Sequence, residues 1–488
     1  MAPGERPATG GSGPLLTRRT LLALGSGVAL GAALSACGLG SAGGSGSSVG
    51  NSGTASLRPG RNVASFGTAG SPARVLATRW DADPWSLGSY SALPPGTAAS
   101  ARSVLAQTVI ADRVVLAGEY TAVDFPSTVR GAYESGGLAA EQLLAAAPQA
   151  ATAVVIGAGL AGLAAAEQLR AAGLAVTVFE ARDRVGGRIE TNREWGVPLE
   201  FGAAWLHGLT GHPLVKLVKS AGLTLAPTDY DDAITHSYRT GADSPEAVAA
   251  ADDLVTRLDD LGSEDLEATD SAAAVLAADG WREDTPDRRF AAASEAAQEY
   301  GRDLDGLGAQ ALSEGQEYQG GDALVVGGFD QVPKQLARNL DVKLGVAATE
   351  VLIPSGEAPG GVQVNLAGGG TVRADVAVVA VPLPLLQRST PKLALPAATS
   401  AALASLTTGN LEKVFCEYPR QWWPQATVLQ VSETPAERWT EFYNLQPITD
   451  RPILVGLAGG VAATTRPATA DGCGAEAADI LQRAFPAS

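Results

Sequence analysis

The sequence predicts an α/β fold, with a Rossmann-like dinucleotide-binding domain joined to a mixed α+β domain. Three observations predict it. A strand, a glycine-rich loop, a helix and a second strand ending in an acid follow one another over 153–180. Apolar runs at Val362–Leu366 and Ala374–Val381 read as further strands separated by turns. The stretch 245–315 is rich in Ala and Asp and reads as mostly helical. With 488 residues, 45% hydrophobic and 18% charged, the chain suits a folded protein of two or three domains.

Composition excludes several classes of function. A net charge of −17 argues against a duplex nucleic-acid partner, because neutralising phosphates takes clustered Lys and Arg. The three cysteines, Cys37, Cys416 and Cys473, are too few for a disulfide-stapled fold or a four-cysteine zinc site. The three histidines, His207, His212 and His236, argue against a multi-histidine metal centre. No metal is therefore expected, and any chemistry should rest on an organic cofactor.

Residues 1–37 read as an export signal. Arg18 and Arg19 precede the apolar run Leu21–Ala36, too short and Gly-rich for a span of about 20 residues. The arginine pair resembles a twin-arginine signal, and Leu34-Ser35-Ala36-Cys37 resembles a bacterial lipoprotein box. That resemblance implies a lipid anchor on Cys37 as the only membrane attachment, with the protein on the outer face of the membrane or secreted. Residues 38–70 are rich in Gly, Ser and Ala and read as a flexible tether.

The dinucleotide motif is Gly157-Ala158-Gly159-Leu160-Ala161-Gly162, between the strand Ala153–Ile156 and a helix expected over Leu163–Ala172. Gly157 allows the tight turn, Gly159 lets backbone approach a pyrophosphate, and Gly162 lets helix and strand pack closely. The helix N-terminus points free N–H groups at the phosphates. The second strand, Val176–Phe179, ends in Glu180, where a carboxylate can accept ribose hydroxyls.

The continuation Ala181-Arg182-Asp183-Arg184-Val185-Gly186-Gly187-Arg188, with Phe201-Gly202-Ala203-Ala204-Trp205-Leu206-His207-Gly208, resembles the flavin amine oxidase family. The resemblance implies FAD as cofactor, a GR-type FAD domain, and a small-molecule amine and dioxygen as substrates. Members of the family normally end with a segment that embraces the flavin. Here its likeness comes first: Trp80 through Gly88-Ser89-Tyr90-Ser91, then Ala117-Gly118-Glu119, then Ser127-Thr128-Val129-Arg130. The chain thus resembles a circular permutant of the family. A gene scrambled in assembly would read the same way. The expected layout is the permuted segment over 71–148, the FAD domain over 149–206 and 321–385, and the substrate domain over 207–320 and 386–488.

The resemblance also assigns roles. Lys413, in the apolar strand Leu411–Cys416, matches the family lysine that holds a water against the flavin. On its own it reads as an edge charge or a buried functional group. Tyr90 is expected as an aromatic wall of the substrate cage and His207 as a proton acceptor or amine anchor. Trp80, Gly118, Glu119, Thr128, Val129 and Ala348 are expected near FAD, with Arg182, Gly187 and Arg188 near its pyrophosphate. Ser89 stands where monoamine oxidases have a flavin-linked Cys, so FAD is expected to be non-covalent. Thr128 maps onto the second aromatic wall of monoamine oxidases, and this departure points to the polyamine oxidase-like branch. Trp422 and Trp423 are expected to pack. Glu314 and Glu317 could face a cationic substrate, but a solvated surface is the expectation. The implied activity is oxidation of an amine to a carbonyl with release of hydrogen peroxide. The alternatives are an L-amino-acid oxidase, for which Arg282, Arg288 or Arg289 would have to hold a carboxylate, and a non-catalytic FAD-binding surface protein.

Overall fold

In chain order the main strands are β1 (Arg74–Ala77), β2 (Val109–Ile110), β3 (Val114–Leu116), β4 (Thr152–Ile156), β5 (Ala175–Phe179), β6 (Ala233–Ser237), β7 (Asp341–Lys343), β8 (Val376–Val379), β9 (Leu411–Glu417), β10 (Val428–Ser432), β11 (Glu441–Asn444) and β12 (Ile453–Gly459). The helices that matter here are α1 (Ser100–Ala106), α2 (Val129–Ala146), α3 (Leu160–Ala171), α4 (Pro245–Gly262) and α5 (Ala470–Ala484). The computed structural model describes residues 70–316, 318–354 and 361–486. The candidate export signal, its Cys37 and most of the tether lie outside the described residues.

The first sheet runs β7-β5-β4-β8-β3-β2, parallel except for the β2–β3 pair. Its central strands β4, β8 and β3 are Val- and Ala-rich and buried on both faces, as a parallel sheet covered by helices requires. β3, which precedes the dinucleotide motif in sequence, lies beside β8. Helix α2 packs on α3 so closely that a Cβ on Gly136 would lie 2.1 Å from the Ala161 carbonyl oxygen. From the end of α2 the chain passes through 147–151 into β4.

Helix α3 begins at Leu160, three residues before the expected start, with Gly159 at the N-cap. Gly162 therefore sits in the first turn. A Cβ there would meet the Gly157 carbonyl oxygen at 2.0 Å, so the close turn-to-helix contact excludes any side chain. The expected strand Ala374–Val381 divides in two, one piece ending at Ala374 and the other being β8, because Asp375 turns outward and its carboxylate accepts from the Ala151 and Thr152 N–H groups.

The second sheet runs β1-β9-β12-β11-β10-β6. β9 is flanked by β1 and β12, so Lys413 is an interior residue rather than an edge charge. Trp422 and Trp423 pack with Tyr418, Cys416 and Trp439 in the core beneath this sheet. Helix α5 covers β1: a Cβ on Gly474 would lie 2.4 Å from Val75, and Gln482 Nε2 donates to the Gly70 carbonyl at 3.5 Å. The first and last described segments therefore meet, and the segment 70–148 contributes to both sheets. Helix α4 and the helical turns after it bury Leu254, Leu258, Trp281 and Phe290 in an apolar cluster that continues into the first sheet through Val114, Val154 and Val379.

Candidate active site

A cavity of about 340 Å³ opens between the two sheets, within the size range of small-ligand sites. Gly157, Gly159, Glu180, Ala181, Arg182, Gly187 and Arg188 line it from the dinucleotide side. Trp80, Tyr90, Gly118, Glu119, Thr128 and Val129 line it from the N-terminal segment, and Ala348, His207 and Lys413 from later in the chain. Ala158 and Gly162 are not on its surface. They shape the turn behind it, Ala158 N–H donating to Glu180 Oε2 at 2.7 Å.

The glycine turn fits a bound dinucleotide. Gly157 has a φ of +103°, a conformation that favours glycine. A Cβ on Gly159 would meet nothing within 4 Å, so the backbone faces open cavity. The first-turn N–H groups of α3 have no partner within the helix. Glu180 Oε1 accepts from Arg182 N–H at 2.8 Å, and its carboxylate keeps further lone pairs for hydroxyls. These residues would hold the adenosine and pyrophosphate of FAD.

The N-terminal segment is tied to this half by ion pairs. Arg182 makes a bidentate pair with Asp83, at 2.7 and 2.8 Å, and donates to Ser86. Burial raises the Asp83 carboxyl, but the Arg182 hydrogen bonds and charge outweigh it and hold it below the usual carboxylate range. Arg188 donates to Glu119 at 2.9 Å and to the Ser89 carbonyl at 3.0 Å. Glu119 in turn accepts from Ser91 Oγ at 2.5 Å. Thr128 caps α2, its hydroxyl accepting from Gly131 N–H at 3.1 Å. Trp80 Nε1 donates to the Phe201 carbonyl at 3.0 Å.

Lys413 is 5% exposed. Its ammonium donates to the carbonyls of Glu200 at 2.9 Å and Gly202 at 2.6 Å, and lies 5.6 Å from the centre of the Trp205 ring. Burial pushes the nearby Glu200 carboxyl up to about 7, although the Thr191 and Phe329 hydrogen bonds and the Lys413 charge pull it down. Tyr90 donates its hydroxyl to the Gln298 carbonyl at 2.9 Å. That carbonyl follows a π-helical turn, Ala292–Ala297, a feature that recurs at functional sites. The same turn brings Glu299 and Tyr300 to the cavity wall.

Sequence reasoning missed two features. Glu314, expected to be solvated, lines the cavity and is paired by both oxygens with Arg102, a fully buried residue of α1 that also donates to Ser91 Oγ at 2.7 Å. His207 Nδ1 bonds to Asp322 Oδ2 at 2.7 Å. Nothing in the pattern around Arg102 or Asp322 marked either one. Glu317 lies outside the described residues. Arg282, Arg288 and Arg289 do not line the cavity; Arg288 pairs with Asp284 and Arg289 with Glu437.

Comparison with known proteins agrees with this geometry. The family described as "Flavin containing amine oxidoreductase" matches residues 61–144 and 160–488. Among curated proteins, the chain is 30% identical over 330 residues to "Probable polyamine oxidase 4" of Arabidopsis thaliana, covering 63% of this chain and 66% of that protein. It is 31% identical over 338 residues to "Polyamine oxidase 3" of Oryza sativa subsp. japonica, covering 63% of this chain and 68% of that protein. The match thus spans about two thirds of these relatives' length. A solved putrescine oxidase bound to putrescine is similar in fold, with a TM-score of 0.55 and 23% identity, over 69% of this chain and 82% of that one. With most of its length matched by the family, and with a glycine cradle, a buried lysine and an aromatic wall around one cavity, the chain belongs to the flavin-containing amine oxidoreductases.

Proposed function

We propose that this chain is an FAD-dependent oxidase of amines, with diamines or polyamines as its substrate class. The observation that carries the reading is Lys413, buried in an interior strand and reaching the same cavity as Tyr90, His207 and the glycine cradle. The chemistry FAD supplies when bound is acceptance of a hydride equivalent from the carbon next to the amine and delivery of the electrons to dioxygen. The chain's residues bind, orient and desolvate. Tyr90 presents an aromatic face to the amine's apolar chain, and Glu299 and Tyr300 add a carboxylate and a ring to the wall that a cationic substrate meets. Lys413, its ammonium bonded to the Glu200 and Gly202 carbonyls, stands on the cavity wall, where it would hold a water beside the flavin. Amine, water and dioxygen become a carbonyl, a smaller amine or ammonia, and hydrogen peroxide.

The cavity arginines favour an amine over an amino acid. Arg102, Arg182 and Arg188 are committed to Glu314, Asp83 and Glu119, which leaves none of them to grip a substrate carboxylate. Ser89 exchanges hydrogen bonds with the Leu411 backbone at 2.9 Å, and a hydroxyl cannot form a flavin thioether, so FAD binds non-covalently.

The same proposal includes the chain order and the address. Read from about 150 to 488 and then from 71 to 148, the motifs fall in the family order. The meeting of β1 with α5 and the run from α2 into β4 support a circular permutant. Fold and cofactor come first in this scheme, and export by a twin-arginine signal with lipid on Cys37 follows. Relinking Ser488 to Ser71 and opening the chain after Pro148 tests the permutation. The relinked protein should retain flavin and activity, whereas loss of both would overturn it. For the activity, Lys413→Met should slow oxidation by at least ten-fold while flavin stays bound. An unchanged turnover would show that the site is assigned wrongly.

A further inference from the structure

The pair formed by His207 and Asp322 is built with more care than substrate contact alone requires. Asp322 is 2% exposed at its side chain. Its Oδ2 bonds His207 Nδ1 at 2.7 Å and accepts from the Tyr230 hydroxyl at 3.1 Å. Its Oδ1 accepts from Gly208 N–H at 3.1 Å. A carboxylate only accepts, so Nδ1 carries the hydrogen in that bond. Nε2 is then the ring nitrogen left for the cavity that His207 lines.

We propose that Asp322 is a positioning residue that fixes His207 as the Nδ1–H tautomer, so that Nε2 takes a proton from the substrate ammonium. The inference rests on the reading of the site as an amine-oxidising one. The step is a proton transfer: an N–H bond of the ammonium breaks, an Nε2–H bond forms, and the amine keeps the electron pair it needs for oxidation. The imidazolium charge is balanced by Asp322 beside it. Other groups facing the pair are Tyr230, Tyr318 with its ring centre 5.7 Å from that of His207, and His212, on which the Arg130 charge acts in turn. Burial, with the Arg130 charge and that of His207 once protonated, lowers His212 to about 4 against the pull of Asp322, so His212 is neutral above that and does not compete for the proton.

The test uses the flavin-loaded chain with putrescine and spermidine as probes, read as the anaerobic rate of flavin reduction against pH. Asp322→Asn should slow reduction by about ten-fold and move the acid limb down by about one pH unit, because an anion beside the ring is lost. Tyr230→Phe removes a donor from the same carboxylate and strengthens it as an acceptor, so the limb should move the other way by a few tenths of a unit. In a His207→Gln background, Asp322→Asn should cost nothing further. Limbs that stay where they are, or losses that add, would overturn the proposal. Nitrogen NMR of the histidines judges it separately. Wild type should show a bare Nε2 at His207 and Asp322→Asn a mixture of tautomers; identical spectra would refute the positioning role. Failure of both amines to bleach the wild-type flavin would instead count against the amine-oxidising reading alone.

Discussion

Gly159 and Gly162 are three residues apart in one motif, yet the structure gives them opposite roles, and substituting each with alanine separates those roles. At Gly162 a Cβ would lie 2.0 Å from the Gly157 carbonyl oxygen and 3.3 Å from the Ala380 Cβ. Backbone must move to admit it, at a cost of about 1–3 kcal/mol or more. At Gly159 a Cβ would meet no protein atom within 4 Å, and φ is −71°, which any residue adopts. Gly159→Ala therefore alters only the N-cap, at a cost below about 1 kcal/mol. Its methyl group instead occupies the space into which a pyrophosphate would approach. The flavin-free proteins should differ accordingly: Gly159→Ala melts within about 3 °C of wild type and Gly162→Ala several degrees lower. Flavin retention should invert the expectation from stability, with Gly159→Ala binding FAD at least ten-fold more weakly, about 1.4 kcal/mol. The assay is flavin absorbance after gel filtration, paired with thermal melts. A Gly159→Ala protein that holds flavin as tightly as wild type would refute the cradle.

Two further substitutions follow from the buried charges. Arg102→Met strands the Glu314 carboxylate in the cavity wall and should destabilise the fold by about 3–5 kcal/mol. The double variant Arg102→Met/Glu314→Gln should recover at least half of that in denaturant unfolding. Glu200 is raised from 4.5 to about 7 by burial, so the folded chain holds a proton that the unfolded chain has released between those values. Its contribution to stability therefore falls as pH rises through that window. Glu200→Gln should gain over wild type between pH 5 and pH 8 by at most about 3 kcal/mol, and a gain that does not change with pH would contradict the assignment.

The parts of the site that sequence made legible are those in which local pattern and chemistry coincide. The strand–turn–helix unit around Gly157 is written into 28 consecutive positions, 153–180, and its register needs no distant partner. Lys413 stands out because an apolar strand rarely carries a cation. Arg102 and Asp322 gave no such signal. Arg102 sits in a short Ala- and Ser-rich helix, and its partner Glu314 lies 212 residues away. Asp322 follows a glycine pair and reads as a turn residue until His207, 115 residues earlier, is brought against it by pairing of the strands that carry Trp205–Leu206 and Ala323–Val326. The sequence pattern puts the start of α3 three residues late because Gly162 resembles a loop residue, whereas tertiary packing draws it into the helix.

In the proposed function one cavity, assembled from segments that the chain order separates, binds flavin and oxidises an amine. The most direct test is an anaerobic spectrum of the purified protein before and after addition of putrescine or spermidine. Oxidised-flavin bands should survive gel filtration, bleach on adding the amine, and return in air with release of hydrogen peroxide. A folded protein without flavin, or a bound flavin that no amine bleaches, would contradict it.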